Sequence, residues 1–564
     1  MEQTVSGDPY RIAVVGNATT NLIKEILEYS LRSHGIAAEV QIGNYDNIVQ
    51  DSYNFRNANA IVVFWELFNL LDGFQGSAPL LPTNDLEGLI AKTEAEIDLV
   101  LRNLSIRPLV LFNLFTADIF TYAYPGDLLL DKVASRLNAF AEGRAGRTVR
   151  FVDLRRIFMG LGIRNCLDLR QFYSSKSVYK VDFFRAYADH VLPFFLAANG
   201  RSRKVLILDC DNTLWKGIIG EDGFDGIEMN PTTADGAVFA EVQRIALSLG
   251  KDGVLLGLCS KNNPGDIDEV FGSHPDMQLR AEDLVIKKVG WSNKVSSLKE
   301  ISQQLNIGLE SIVFVDDSQF EVEMVRQQLP EILTLQVPTT ISAFPGLLRD
   351  HLPCFLTLEN TTEDRQKTAM YKQQETRQHL RNEFSSLEDY LASLEQRLTI
   401  FVNVDSTSAR LAQMCQKTNQ FNLTTKRYLE ADVRRFLGQS DKLIFAFSLM
   451  DRLGDSGITG LSILSLDEAL CQADIDVFLM SCRVIGRNVE YAFMDHLLSA
   501  LQSRQIKKVT ARYIATPKNE MARTFFDSCG FSVLTETPST KEYLLVLECY
   551  HPRQLSYIEV VRGG

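Results

Sequence analysis

The sequence predicts an α/β chain of three domains, a doubly wound α/β unit, a second α/β unit and an α+β unit, and three observations carry that reading. At 564 residues the chain is too long for one hydrophobic core, because compact domains usually hold about 100 to 200 residues. Up to residue 352, short continuous apolar runs alternate with amphipathic helical stretches, the pattern of parallel strands covered on both faces. Beyond residue 401 the alternation gives way to strand pairs that read as antiparallel.

The elements follow in order. "RIAVVGN", the amphipathic "NLIKEILEYSLRSHG", "AAEVQIG", "AIVVFWEL", "PLVLFNLF" and "VRFVDL" make residues 1–198 a doubly wound α/β domain. A second α/β unit, 199–352, is built on "KVLILDCDNT", "GVLLGLCSKNN" and "SIVFVDDSQFE", each an apolar strand with a polar tip. Residues 353–400, charged and helix-favouring, read as a solvated helical connector. Residues 401–564 contain the strands "KLIFAFSLMDRLGDSGITGLSILSL" and "DIDVFLMSC", the helix "GRNVEYAFMDHLLSALQS" and the strands "KKVTARYI" and "YLLVLE", an α+β order.

Composition excludes several classes. Hydrophobic and charged contents of 45% and 23% are those of an ordinary globular chain. A net charge of −13 with no long basic block argues against a nucleic-acid partner. The start "MEQTVSGDPY" has neither a basic n-region nor an apolar h-region, and nowhere do about 18 apolar residues run together. The expectation is a cytoplasmic protein with no membrane segment. Nine cysteines without a Cys-x-x-Cys pair argue against a zinc site or a disulfide frame.

In open α/β sheets ligands bind at the carboxyl ends of strands, so the three polar tips of the second unit should converge on one crevice. Asp209 and Asp211 at the end of a buried strand are costly unless they hold a cation or react. Mg2+, with its preference for hard oxygen ligands, resolves the cost, and Asp209, Asp211, Asp316 and Asp317 are its candidate ligands. Asp209 reads as the nucleophile toward phosphorus and Asp211 as the general acid and base. Ser260 and Lys294 supply the hydroxyl and ammonium that hold phosphate oxygens, and Thr213 closes the turn beside them. The gaps between Thr213 and Ser260 and between Lys294 and Asp316 are too short for a cap domain. The crevice is therefore open, which favours a bulky or carrier-borne substrate.

These four segments, "LDCDNTLW", "CSKNN", "GWSNK" and "VFVDDSQFE", resemble in order the motifs of the haloacid dehalogenase (HAD) superfamily of phosphatases and phosphotransferases. The form "VLILDCDNTLWKGIIGEDG" with "WSNK" and "FVDDSQFE" is similar to its FkbH-like branch, as are the later "KTNQFNLTTKRY", "DRLGDSGITG" and "SCRVIGRNVE". The resemblance implies a capless HAD domain of Rossmann-like fold and a C-terminal domain resembling N-acetyltransferases (GNAT-like). It implies a bifunctional glyceryltransferase and phosphatase that moves the phosphoglyceryl group of 1,3-bisphosphoglycerate to a protein thiol and removes the 3-phosphate. The glyceryl group then passes to the phosphopantetheine thiol of an acyl carrier protein in polyketide-type biosynthesis. Cys210, between the two aspartates, is the leading catalytic thiol, with Cys259 and Cys482 behind it. In a regular strand Cys210 points away from Asp209 and Asp211, so a packing role stays open. Family members often carry glycine where Lys216 stands, and Lys216 reads as solvated.

In "CRVIGRNVE", Arg483 and Gly486 match the outline of an acetyltransferase pyrophosphate loop, while Asn488 stands where glycine or alanine is usual. The loop then serves the carrier's phosphopantetheine, or "GRNV" is simply a helix start. The first domain loosely resembles the SGNH-hydrolase fold through "VVGNATT" without a Gly-Asp-Ser block, which implies a non-catalytic role. The alternatives to carrier loading are a plain Mg2+-dependent phosphatase of a phosphate ester and a non-enzymatic assembly-line scaffold.

Overall fold

The computed structural model describes residues 9–55, 57–70, 77–105, 107–119, 128–358, 377, 380–381, 384–516, 518–553 and 555–563. The chain falls into two units, residues 1–199 with 428–435 and residues 200–427 with 436–564.

In the first unit, β1 (Tyr10–Gly16), β2 (Ala38–Ile42), β3 (Ala60–Phe64), β4 (Leu109–Asn113) and β5 (Val149–Val152) form one parallel sheet in the order β2-β1-β3-β4-β5. Every residue of β3 and β4 is buried, as strands covered on both faces must be. Helices Asn21–Ser33 and Val181–Ala198 pack together, as do Thr83–Leu104 and Leu129–Arg144. The doubly wound reading of this domain is what the structure shows. Asn17, at the tip of β1, is a tie rather than a reactive group. Its side chain exchanges hydrogen bonds with the Glu66 backbone at 2.8 and 2.7 Å, and its carbonyl accepts one from Asn69 at 2.7 Å.

The second unit begins with β6 (Val205–Leu208), β7 (Leu255–Ser260), β8 (Leu284–Val289), β9 (Ile312–Asp316) and β10 (Leu333–Gln336), parallel throughout in the order β10-β9-β6-β7-β8. The chain steps outward from β6 to β8 and then crosses to β9 on the other side. That reversal puts the switch point, and the crevice, between the tips of β6 and β9. The loops after β7, β8 and β9 also cap the helices that follow them. Asn263 caps Pro264–Ser273, Asn293 caps Lys294–Gln304 and Ser318 caps Gln319–Gln328, each accepting a bond from a first-turn backbone N–H. Nearly half of the expected connector lies outside the described residues. In its described part Leu387–Ser393 is helical.

The C-terminal sheet starts five residues before the expected boundary, at β11 (Gln396–Val402). With β12 (Phe421–Asn422), β13 (Lys442–Asp451), β14 (Gly454–Asp467), β15 (Gln472–Met480), β16 (Lys508–Ile514), β17 (Ser532–Glu536), β18 (Thr540–Val546) and β19 (Ile558–Arg562) it forms a mixed sheet ordered β17-β18-β16-β15-β14-β13-β11-β19. The β15/β16 and β11/β19 pairs are parallel, and β12 pairs antiparallel with β15. Helix Val489–Ser503 supplies Val489, Phe493, Leu497 and Leu501 to the core on this sheet. The start of that helix is pinned by charge, since Arg377 forks onto Asp451 at 2.8 and 2.9 Å and Arg487 reaches the same carboxylate at 2.5 Å and Gln396 at 3.0 Å. No described helix is long and apolar enough to cross a membrane.

Two predictions follow from buried charge. Burial pushes the Glu66 carboxyl up to about 8, and the neighbouring Tyr179 side chain opposes the shift. The folded unit therefore keeps a proton that the unfolded chain releases above about pH 4.5, so stability falls as pH rises toward about 8. Glu66→Gln should flatten that slope in urea titrations between about pH 5 and about pH 8; an unchanged slope would place its origin elsewhere. Arg487→Ala should destabilise the C-terminal domain by about 3 kcal/mol, read by chemical denaturation, because it breaks a buried ion network.

Candidate functional site

Asp209 follows β6, and its N–H donates to Val315 O at 3.0 Å, which fixes the register of β6 on β9. Two strand tips thus bring Asp209 and Asp316 side by side. The first residue of the helix capped by Asn293 is Lys294, whose Nζ lies 2.9 Å from Asp209 Oδ1 and 2.6 Å from Asp316 Oδ2. All three side chains are buried. Asp316 also accepts the Ser318 N–H at 2.9 Å. Oxygen atoms of Asp209, Asp316 and Asp317 all lie within 4.8 Å of one another.

Burial raises the Asp209 carboxyl, Lys294 opposes the rise and Asp316 adds to it, leaving Asp209 above the ordinary carboxylate range. Asp317 is raised by burial and by Asp316. Burial alone would pull the Lys294 ammonium down, but its two carboxylates hold it above the usual lysine value. Three carboxylates facing one ammonium leave an excess of negative charge built from hard oxygen donors. That set fits a small divalent cation, which would also reverse the upward shifts.

Ser260, the last residue of β7, is buried next to both Asp209 and Cys210. Its hydroxyl accepts from Asn262 Nδ2 at 3.1 Å, and the same amide donates to Asp211 Oδ2 at 3.0 Å. Asp211 Oδ1 accepts from Trp215 Nε1 at 3.0 Å and from the Ile219 N–H at 3.1 Å. Asp211 thus differs from the expectation that its carboxylate joins the cation ligands. The donors Asn262, Trp215 and the Ile219 N–H hold it, and it is not part of the Asp209–Asp316–Asp317 group.

The other predicted residues separate. Cys210 is fully buried in an apolar cluster with Leu208, Leu214, Trp215 and Met229. Burial and the Asp209 charge push its thiol well above the ordinary range, with Ser260 pulling the other way. The expectation of a thiol presented to the crevice is therefore not met: the side chain takes the packing position that strand alternation allows. Thr213 closes the turn through its N–H to Cys210 O at 3.1 Å, and its buried hydroxyl has no hydrogen-bond partner among the described residues. Lys216 pairs with Asp235 at 2.7 Å and Glu228 at 3.6 Å on the exposed flap, matching its solvated reading.

Sequence reasoning missed Asn262, the residue that joins Ser260 to Asp211. Its signal was its place in "CSKNN", two residues after Ser260. It also missed Asn212, whose φ of 51° makes the turn out of β6 and whose Oδ1 accepts the Gly217 N–H at 3.0 Å.

In the C-terminal domain Gly486 has φ 80° and Asn488 has φ 61°, a left-handed conformation that asparagine tolerates. Asn488 Nδ2 donates to the Tyr557 hydroxyl at 2.8 Å, and Arg487 is buried on Asp451. "GRNV" is thus a helix start anchored by charge. The β15/β16 register covers only Gln472–Ile475 against Lys508–Ala511. Beyond it Phe421–Leu423 enter between the strands: Leu423 N–H donates to Phe478 O at 3.1 Å, and Leu423 O accepts from Ile514 at 2.8 Å. The strand edges on which an extended ligand arm would pair are already paired.

No protein-family model and no curated protein matches the chain. Among solved structures, the chain is similar to the N-terminal part of protein BF1531 from Bacteroides fragilis, which contains a phosphatase domain and was crystallised with Mg, at 23% identity and a TM-score of 0.55, over 64% of this chain and 96% of that one. It also aligns with the ribosomal-protein-S18-alanine N-acetyltransferase from Escherichia coli at 15% identity and a TM-score of 0.22, over 27% of this chain and 94% of that one. The first of these likenesses is one of fold.

Proposed function

We propose that the chain is a magnesium-dependent phosphatase of the HAD type that acts on a carrier-borne phosphate ester. Within that class we read it as the FkbH-like enzyme that takes the phosphoglyceryl group of 1,3-bisphosphoglycerate onto a thiol, removes its 3-phosphate and delivers glyceryl to the phosphopantetheine thiol of an acyl carrier protein. The observation that carries the phosphatase reading is the meeting of Asp209, Asp316 and Asp317 around Lys294, with Asp211 oriented separately. Support for a carrier-borne substrate comes from the short flap: between β6 and helix Ala234–Lys251 the described residues form one four-residue helix, Ile219–Asp222, and no further sheet.

Asp209, Asp316 and Asp317 would hold Mg2+, which when bound shields the phosphate charge from the carboxylates. An Asp209 oxygen attacks phosphorus, and the bond from phosphorus to the ester oxygen breaks. Asp211 protonates that oxygen and then takes a proton from the water that hydrolyses the aspartyl-phosphate. Ser260 and Lys294 hold the non-transferred oxygens. In the transfer half, a thiolate attacks the acyl carbon and phosphate leaves with the electron pair of the broken C–O bond. Cys210 can take that role only if its turn opens; otherwise the carrier's own thiol accepts directly. The GNAT-like and SGNH-like domains are read as carrier-docking and non-catalytic, and the substrates are those of the cytoplasm.

Calorimetric Mg2+ titration should show Asp317→Ala weakened by about tenfold or more and Asp211→Ala within about threefold of the parent. Intact-mass spectrometry of a carrier protein incubated with 1,3-bisphosphoglycerate, Mg2+ and the chain should show a glyceryl adduct, and Asp209→Asn should leave the 3-phosphate in place. Absence of any adduct across carriers, with a free phosphate ester still turned over, would leave the plain phosphatase. Cys210→Ser that abolishes loading but still dephosphorylates a preloaded carrier assigns the transfer to Cys210.

A further inference from the structure

Between residues 199 and 352, all of them described, the exposed large apolar side chains are Ile218, Trp291 and Phe320. Single exposed apolar residues are ordinary on any surface, but these three all follow the carboxyl ends of strands. Ile218 lies in the flap after β6, Trp291 in the loop after β8 and Phe320 in the first turn of the helix after β9. Each is tied to a crevice group. Ile218 precedes Ile219, whose N–H donates to Asp211 at 3.1 Å. Trp291 follows Gly290, whose N–H donates to Ser260 O at 3.1 Å, and stands three residues before Lys294. Phe320 lies between Ser318, whose N–H donates to Asp316 at 2.9 Å, and Glu321, which pairs with Lys261 at 2.5 Å. Asn293 Nδ2 meets Met324 Sδ at 3.5 Å, so the loop of Trp291 touches the helix of Phe320. Trp291 and Phe320 are 78% and 67% exposed, so little of either ring is used to pack its own loop.

The charge of the same edge decides which part of a substrate these side chains meet. The loops that follow β6 to β10 contain two cations, Lys216 and Lys261, and both already face carboxylates. Lys216 pairs with Asp235 and Glu228, and Lys261 with Glu321. The flap adds Glu221, Asp222 and Asp225. A group carried beside the reacting phosphate therefore meets apolar side chains and carboxylates, and a second anion there is repelled. An uncharged chain is not repelled, and it gains the contact area of two aromatic rings.

We infer that Trp291 and Phe320 are specificity-determining residues of the crevice, which receive the uncharged, partly apolar arm of a phosphate monoester whose phosphate sits at Asp209 and Lys294. Ile218 meets the same arm from the flap. The inference rests on the phosphatase reading and adds to it the part of the substrate that stays outside the carboxylate crevice. It also sets a preference. A phosphorylated acid held as a thioester suits this edge, whereas the same acid in free form brings a carboxylate to it and is disfavoured.

The test uses the full chain with Mg2+ and two probes: 3-phosphoglycerate, and its pantetheine thioester, which is uncharged outside the phosphate. Asp211→Asn lacks the proton-transfer group and so holds the ester unhydrolysed. By calorimetry this variant should bind the thioester about tenfold or more tightly than the free acid. Adding Trp291→Ala and Phe320→Ala together should bring the two affinities within about twofold of each other, and adding Trp291→Phe alone should keep the preference. Binding of the thioester should also shift tryptophan emission, because Trp65 and Trp215 are buried and Trp291 is the exposed one of the chain's three tryptophans. That shift should vanish in Trp291→Phe. No binding of the thioester, equal binding of the two probes, or a preference unchanged by the paired alanines would overturn the inference. Turnover by the unsubstituted chain reports on the phosphatase reading separately. Hydrolysis of both probes with equal binding keeps that reading and removes the inference; preferential binding with no hydrolysis removes the reading and keeps the contact.

Discussion

The buried ammonium of Lys294 between Asp209 and Asp316 is the constraint on which the central domain depends. A lysine and two carboxylates out of water are costly unless each charge sits within hydrogen-bond reach of its partner. Meeting that condition requires β6 and β9 to be parallel neighbours in one register, and it requires the helix after β8 to begin at Lys294. Asn293 secures the second requirement by capping that helix through the Val295 N–H at 2.8 Å. The crevice is thus organised before any substrate arrives. A cation entering it adds to an existing charge pattern rather than creating one, and it must share Asp209 with Lys294.

Most of this was legible in the sequence because strand tips in parallel sheets are local features. An apolar run ending in Asp209, Ser260 or Asp316 announces both the strand and the edge at which its polar residue emerges. Legibility ended where the chain leaves the strand. β6 stops at Leu208 and Asn212 turns with φ 51°, so two-residue alternation no longer says where Asp211 points. The flap decides instead, through Trp215 and the Ile219 N–H. Cys210 follows the alternation rule and lands in the core, although the motif around it suggested chemistry. Asn262 became visible only once Asp211 and Ser260 were seen to share its amide.

The C-terminal domain shows the same limit at larger scale. Five of its strands, β13 to β16 and β18, could be read from apolar runs, but a two-residue strand, Phe421–Asn422, leaves no periodicity to read. Nevertheless it closes the gap where β15 and β16 part. The backbone there must find partners once buried, and the chain supplies them from "QFNLT" rather than leaving them for a ligand. A pyrophosphate-loop outline in the sequence therefore says little about what docks nearby. Arg487, a residue within that outline, is committed to Asp451 in the interior.

The crevice is framed by two rigid elements, β6 and helix Lys294–Gln304, and this limits how events elsewhere in the domain can reach it. A strand inside a five-stranded sheet and a capped helix do not change shape by small steps, because packed interiors resist continuous deformation. Any influence on the carboxylate crevice along the helix would need it to shift as a body, moving Lys294 relative to Asp209 and Asp316. Their separations of 2.9 and 2.6 Å leave little room for such a shift without breaking a buried ion pair. The geometry thus favours a crevice that keeps its charge pattern while the rest of the domain moves around it.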